Sequence, residues 1–356
     1  MKDNKLFVTG SNGFLGSEIV RLCLKDKIPV RGIGLQNTSR YPGVDYYSGD
    51  ILKDNGLKEV MKGITTVIHA AGLAHVFHNS RHAPFKEVNE IGTLRVATAA
   101  AEARVRCFVL VSSVSVYGEY GHNENEMAPC LPVGNYANSK LASERRAMEV
   151  ARNSGMDLVI LRLATLYGES DPGNVARLMR SIDKKRFIWI GQGANYKSLL
   201  HREDAARACL AAAFPGTKGI NIYNVSGPPS LMWDVVTGLA SALGRRVPAW
   251  QLPSSWALGL AGFASGLVKG NGRFGFLPGT IKKWLADDTY DTTKFDLTFN
   301  FKPRVALAEG LRREVEWYCA QENKLKRSLG RERLPYPAYG PVTSRVATGL
   351  AREFQK

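Results

Sequence analysis

Tyr136 stands four residues ahead of Lys140 in the stretch Tyr136-Ala137-Asn138-Ser139-Lys140. On a helix this spacing puts both side chains on one face. An ammonium beside a phenol favours the phenolate and lowers a side-chain pKa that starts at about 10. A phenol so placed can pass a proton to or from an alcohol oxygen near neutral pH. The pair gains meaning from a second feature, the run Thr9-Gly10-Ser11-Asn12-Gly13-Phe14-Leu15-Gly16. Glycines at 10, 13 and 16 permit a tight turn, close backbone approach to a pyrophosphate, and close packing of a helix on a strand. The helix N-terminus that follows faces the phosphates with free amide donors. A dinucleotide loop followed by a proton-transfer phenol reads as a redox site.

The end of the second strand is where the adenosine ribose of such a cofactor is read. A carboxylate there suits the 2′-hydroxyl of NAD, and an arginine suits the 2′-phosphate of NADP. This chain offers Gly34-Leu35-Gln36-Asn37, with Arg31 and Arg40 close by and no acid before Asp45. The cofactor expected is NAD(P), with NADP favoured. Asp50 and Ile51, after the third strand, fall at the adenine edge. Ala70, Ala71 and Gly72, at the end of the fourth, fall beside the ribose.

Alternating strands and helices must hold these groups. Apolar runs predict strands at 5–9, 29–33, 44–48, 65–70, 107–112 and 157–163. Helical spacing appears at 14–23, 83–104 and 136–153. This order predicts an α/β fold with a doubly wound parallel sheet covered on both faces. Residues 1–166 form the dinucleotide-binding domain in this reading. Residues 167–320 form mainly a smaller α/β substrate lobe, with some segments returning to the sheet. Residues 321–356, basic and with Pro335 and Pro337, read as a mobile tail.

The 356 residues carry a net charge of +16. No nucleic-acid module signature accompanies that charge, so nucleic acid is not expected as a partner. No apolar run is long enough to span a bilayer, and no leader precedes the first strand. The five cysteines are scattered without a CxxC pair, which fits a reducing cytoplasm. The apolar stretch 254–268 reads as a helix packed in the C-terminal lobe, or as a monotopic foot giving peripheral membrane contact. His75, His78 and His82 fall at helical spacing, but no cysteine or carboxylate completes a tetrahedral set, so no metal is expected.

The motifs together resemble the extended short-chain dehydrogenase/reductase family, in its NAD-dependent epimerase/dehydratase branch. The resemblance rests on TGSNGFLG at 9–16, GDI at 49–51, HAAG at 69–72 and VNEIGT at 88–93. It continues through SSVSVYG at 112–118, YANSKLASE at 136–144, LRLATLYG at 161–168 and LLHREDAARA at 199–208. FDLTFNFKPRVALAEGLRREVEWY at 295–318 looks like the family's closing strand and helix. The resemblance implies a Rossmann-type sheet, a homodimer formed through 83–104 and 136–153, and a catalytic trio of Ser113, Tyr136 and Lys140. In that trio Tyr136 is the general acid/base, Ser113 bonds the reacting oxygen, and Lys140 holds the nicotinamide ribose. Asn89 is implied to position the cofactor.

Relatives that eliminate water carry acids directly after the catalytic hydroxyl. Here those positions are Val114 and Ser115, and the other nearby acids, Glu119 and Glu124, read as loop residues, which argues against dehydration. Hydride chemistry at one carbon remains, as 4-epimerisation or 4-ketoreduction of a nucleotide sugar, most like enzymes acting on UDP-N-acetylhexosamines for surface polysaccharide. Ser113, Ser115, Thr165, Tyr167, Asn174, Arg177 and Lys197 are the implied substrate contacts, with Arg180, His201 and Asp204 near them. A 3β-hydroxysteroid-type dehydrogenase and a non-catalytic NAD(P)-binding sensor or scaffold are the alternatives.

Overall fold

The computed structural model describes residues 5–53, 56–74, 83–118, 121–214, 217–248, 250–259 and 277–328. Its central sheet draws on β1 (Leu6–Thr9), β2 (Val30–Gly34), β3 (Asp45–Ser48), β4 (Thr66–His69) and β5 (Cys107–Ser113). β6 (Gly121–Glu124) belongs elsewhere, and β7 (Asp157–Leu163) and β11 (Ile220–Val225) complete the seven. The order is β11-β7-β5-β4-β1-β2-β3, and every pairing in it is parallel. Strand order reverses at β1, so a crevice opens at the carboxyl ends of β1 and β4.

The pleat explains the two cores. Leu6 and Val8 point into one layer with Ile19 of α1 (Phe14–Lys25) and Cys209 of α6 (Arg202–Ala213). Phe7 points the other way, toward Val96 and Ala100 of α3 (Gly92–Glu102) and Ala147 of α4 (Gly134–Ser154). With helices on both faces, β1, β4, β5 and β7 are apolar almost throughout. β11 extends the sheet and α6 packs on one face of it.

A second sheet holds β8 (Thr165–Tyr167), β10 (Tyr196–His201), β12 (Pro229–Leu231), β14 (Asp288–Tyr290) and β6. β9 (Trp189–Ile190) pairs with β13 (Gln251–Leu252) as a separate ribbon. Trp189, Met179 of α5 (Asn174–Asp183), Val236 of α7 (Met232–Ala242) and Leu311 of the closing helix Leu307–Ser328 fill this lobe's core.

Several expectations change. The long helix at 83–104 opens with a π-helical turn, Lys86–Ile91, before α3. The stretch from 295, expected to begin as a strand, forms the helix Thr293–Phe299. Phe295 and Phe299 share a helical face and pack on Tyr223, a contact that strand alternation would break. Glu124 ends strand β6 rather than lying in a loop. The closing helix runs to Ser328, into the stretch expected as a tail. Glu119, His75, His78, His82, residues 260–268 and residues 329–356 lie outside the described residues.

One buried charge pair seats α4 on the sheet. Glu144 receives Arg162 Nη2 at 2.8 Å and Nε at 3.1 Å, and the Ser112 hydroxyl at 2.5 Å. Arg162 also donates to Tyr117 Oη at 3.0 Å. Removing one partner strands the other charge in low dielectric, a loss of about 3–5 kcal/mol, whereas replacing both by apolar groups of like volume is often near neutral. Urea unfolding of Glu144→Ala should therefore show a loss in that range, and Glu144→Met with Arg162→Met a much smaller one. Equal losses in the two would mean that the pair is not coupled.

Candidate active site

Gly10, at φ +65°, turns the chain out of β1 beneath β4, where an added Cβ would sit 2.9 Å from Ala71 Cα. At Gly16 an added Cβ would lie 2.2 Å from the Gly10 carbonyl oxygen, so only glycine lets α1 meet β1 this closely. Gly13 caps α1 with its amide bonded to Gly10 O at 2.8 Å. The loop is shaped as a pyrophosphate cradle on a helix N-terminus, and the residues present fit a dinucleotide. Asn12 fastens the next loop to it, accepting from Arg40 N–H at 2.8 Å and donating to Thr38 O at 2.8 Å. Leu15 differs from expectation: its side chain is in the core, and only its main chain faces the cradle.

The two arginines weighed for the 2′-phosphate separate. Arg31 donates to Asp45 at 2.7 Å and to Val60 O at 2.6 Å, which removes it from the cofactor. Arg40 reaches Ser17 Oγ at 3.4 Å, and Arg202 reaches the same hydroxyl at 3.2 Å. The Arg202 guanidinium also lies over the Phe14 ring and pairs with Glu18 at 3.3 Å. Sequence reading missed Arg202, which arrives on α6 from 185 residues away.

Asp50 closes a short turn on Leu52 N–H at 3.0 Å, and Ile51 packs against Gly92 at the start of α3. Ala71 N–H donates to Thr9 Oγ1 at 3.1 Å, and Thr9 Oγ1 lies 2.7 Å from His69 Nδ1. His69 Nε2 lies 3.1 Å from Thr93 Oγ1, whose proton goes to Asn89 O. Those partners fix the imidazole as the Nε2–H tautomer. Burial, with Lys140 nearby, holds its pKa down to about 3, so the ring is neutral. Asn89 accepts from Leu73 N–H and donates to Leu73 O and to Ser139 Oγ. With its amide protons engaged, it positions the chain after β4 against α4 rather than gripping a cofactor directly.

Ser113 ends β5 and caps the short 3₁₀ turn Val114–Tyr117, its Oγ accepting from Ser115 N–H at 3.2 Å. Ser113 is the side chain close enough to act on the Tyr136 phenol, so the structure brings the two residues to the same end of the sheet. The expected acidification by Lys140 is not what this geometry gives. Burial raises the phenol pKa, Ser113 opposes that rise, and the Lys140 ammonium donates to Val111 O at 2.5 Å. Burial also lowers the Lys140 pKa to about 8, against the pull of Glu144.

Of the substrate candidates, Thr165, Asn174, Arg177 and Lys197 line one cavity of about 700 Å³. Ser113 pairs with Leu163 across the sheet, so Thr165, two residues on, carries the chain from that end of the sheet to this cavity. Lys197 Nζ is bonded to Lys283 O and Ala286 O, both at 2.7 Å. Sequence reading missed Arg186, Lys283 and Trp284, which also line it; no motif marks them. Tyr167 is a correction: it lies under Gly310 and edge-on to His201, a packing residue. Asp204 holds the amides of Arg304 and Val305. Ser115 Oγ is buried without a partner.

The family model "NAD dependent epimerase/dehydratase family" matches residues 6–226. The chain is 28% identical to an undecaprenol-diphosphate-linked N-acetylglucosamine 4-epimerase of Escherichia coli O157:H7, over 91% of this chain and 98% of that protein. It is also 28% identical to a UDP-glucose 4-epimerase of Vibrio cholerae, over 90% and 97%. Among solved structures, MoeE5 in complex with UDP-glucuronic acid and NAD superposes with a TM-score of 0.72 at 25% identity, over 89% of this chain and all of that one.

The Lys140 environment gives a pH signature. Its folded pKa lies below the unfolded value of about 10.4, so between those values the unfolded chain binds more protons and stability rises with pH. Buried Cys23, Cys107 and Cys209, pushed up to about 12, act oppositely once the unfolded thiols ionise. The difference between wild type and Lys140→Met isolates the lysine. Urea unfolding at stepped pH should show that difference growing in favour of wild type above about pH 8, and a flat difference would refute the assignment.

Proposed function

The chain belongs to the NAD-dependent epimerase/dehydratase family, and from that premise we propose that it moves hydride between NADP and C4 of a nucleotide sugar. The substrate in this reading is a UDP-N-acetylhexosamine or its 4-keto derivative, used for surface polysaccharide. What supports it is Ser113 and Tyr136 near the end of β5, beside the strand Asp157–Leu163 whose continuation through Thr165 lines a cavity with the cations Arg177, Arg186 and Lys283, which suit a diphosphate. The 4-epimerases among the relatives support C4 as the reacting carbon. Val114 and Ser115 supply no acid for dehydration, although dTDP-glucose 4,6-dehydratases match at the same 28% identity.

When bound, NADPH would supply the hydride. Tyr136, kept protonated by burial, gives its proton to the C4 oxygen as hydride reaches C4. Ser113 holds that oxygen while charge develops. Lys140, now held by Val111 O, is the residue that would hold the nicotinamide ribose and stabilise the phenolate. A site leaning toward an exchanging NADP supports 4-ketoreduction; 4-epimerisation is the second reading, supported by the relatives. Arg40 beside Ser17, with no carboxylate in Gly34–Arg40, supports NADP. The same reading places the enzyme in the cytoplasm as a homodimer joined through α3 and α4; a monomer mass by light scattering would remove the dimer.

Tyr136→Phe should lower kcat by about 10²-fold or more, in the range of general-acid contributions, while cofactor affinity by fluorescence titration stays within a few-fold. Undiminished turnover would remove the proton-transfer role. Cofactor released by denaturation should be NADP(H), and Arg40→Ala should weaken NADP far more than NAD. Release of stoichiometric, non-exchanging NAD would instead establish the epimerase reading.

A further inference from the structure

The charge of this chain is segregated. Residues 184–196 and 235–286 contain nine Lys or Arg and not one Asp or Glu. Both strands of the β9–β13 ribbon come from these stretches, as does the helix Leu277–Leu285. That helix packs on the ribbon, with Trp284 Nε1 donating to Ile190 O at 3.2 Å.

The ribbon's outer side is apolar and open. Its parallel register pairs Gln251 with Trp189, and Trp250 and Ile188 are the residues that lead into the two strands. Trp250 is 64% exposed, Ile188 56%, and Trp256, in the helical turn at 254–259, 69%. Lys185, Arg186, Lys282 and Lys283 are exposed around them. Exposed tryptophans among cations, on segments that carry no Asp or Glu of their own, form the composition of a surface that rests at a membrane interface: the indoles enter the headgroup region and the cations meet anionic lipid. An acidic protein partner would use the cations but gives no role to open indoles.

The same residues border the cavity. Arg186, Ile188, Ile190, Lys283 and Trp284 line it, and Ile188 is also part of the exposed edge. The cavity therefore opens beside the patch. A sugar diphosphate seated on Arg177, Arg186 and Lys283 would direct whatever it is esterified to along this apolar edge.

We propose that the β9–β13 edge docks on an anionic bilayer and that the sugar diphosphate reaches the cavity on an isoprenyl carrier drawn from it. This rests on the hydride-transfer reading above and changes only the carrier, since nucleoside- and isoprenyl-linked sugars share the sugar and the diphosphate. The holoprotein is sedimented with vesicles of phosphatidylcholine and phosphatidylglycerol, and with phosphatidylcholine alone. Wild type should pellet with the anionic vesicles, and the double variant Trp250→Ser, Trp256→Ser should lose about tenfold or more of that binding, because interfacial affinity scales with buried apolar area. Its melting temperature should be unchanged. Wild type remaining in the supernatant, or a double variant that pellets like wild type, overturns the proposal. Turnover is then followed by cofactor absorbance and, because epimerisation returns the hydride, by chromatography of the sugar product, on UDP-N-acetylhexosamine, on its 4-keto derivative, and on the corresponding sugars linked to isoprenyl diphosphate in the same vesicles. The variant should lose activity on the vesicle-borne sugar while keeping any activity on the soluble one. Turnover of soluble nucleotide sugar alone overturns the isoprenyl carrier and leaves hydride transfer standing. Turnover of none of these sugars removes the hydride reading, and pelleting alone then decides the membrane face.

Discussion

Helix α4 carries Tyr136 and Lys140, and its height over the sheet decides whether the phenol meets Ser113. Nothing in α4's own sequence sets that height. It is set lower on the helix, where Glu144 is clamped by Arg162 from β7 and by Ser112 from β5. Tyr117, just past Ser113, shares the same guanidinium and stacks on Tyr290 of the second sheet. One buried charge pair thus joins the two strands beneath the reacting end, the helix that brings the phenol, and the turn that follows the serine. Two ions this deep are tolerated because they are paired through two bonds and each has a further partner, Ser112 for Glu144 and Tyr117 for Arg162.

A second network runs across the crevice floor. It passes from Ala71 N–H through Thr9 and His69 to Thr93 and the Asn89 carbonyl, with a single direction of donation along its length. Ser143 donates to that same carbonyl at 2.8 Å, and Asn89's amide joins Leu73 to Ser139. The glycine loop, the end of β4 and α4 are therefore held in one register. The π-helical turn supplies Asn89 at the required angle, as such turns often do beside functional sites.

The crevice also acts on charge. Burial raises Tyr136 and lowers Lys140 and His69; in each case the neutral form gains, as desolvation demands. The proton on Tyr136 is accordingly a property of the pocket, and Lys140 is a charge held at some cost near a phenol it does not touch. Cations gather instead at the two ends, with Arg40 and Arg202 over the first turn of α1 and Arg177, Arg186 and Lys283 around the cavity. That distribution suits ligands with phosphate at the ends and a neutral reacting centre between.

Much of this was legible in the chain. Apolar runs doubly buried in a parallel sheet announce their strands, and glycines at 10, 13 and 16 admit few other uses, because Gly16 in contact with a backbone oxygen tolerates no side chain. The spacing of Tyr136 and Lys140 marked the helix face correctly. What that spacing left undetermined was the surroundings of each group: a backbone carbonyl took the lysine and Ser113 became the phenol's neighbour, since burial and proximity are set by elements distant in sequence. Tyr167, placed by motif in the substrate lobe, became core because the closing helix lies on it. Arg186, Lys283 and Trp284 carry no local signal, and the motif that holds Arg202 does not show that it reaches α1, because a side chain reaches a site only where the fold delivers its backbone. Periodicity and steric necessity are local and can be read along one chain, whereas charge pairing, desolvation and the walls of a cavity are relations between segments and exist only once the segments have met.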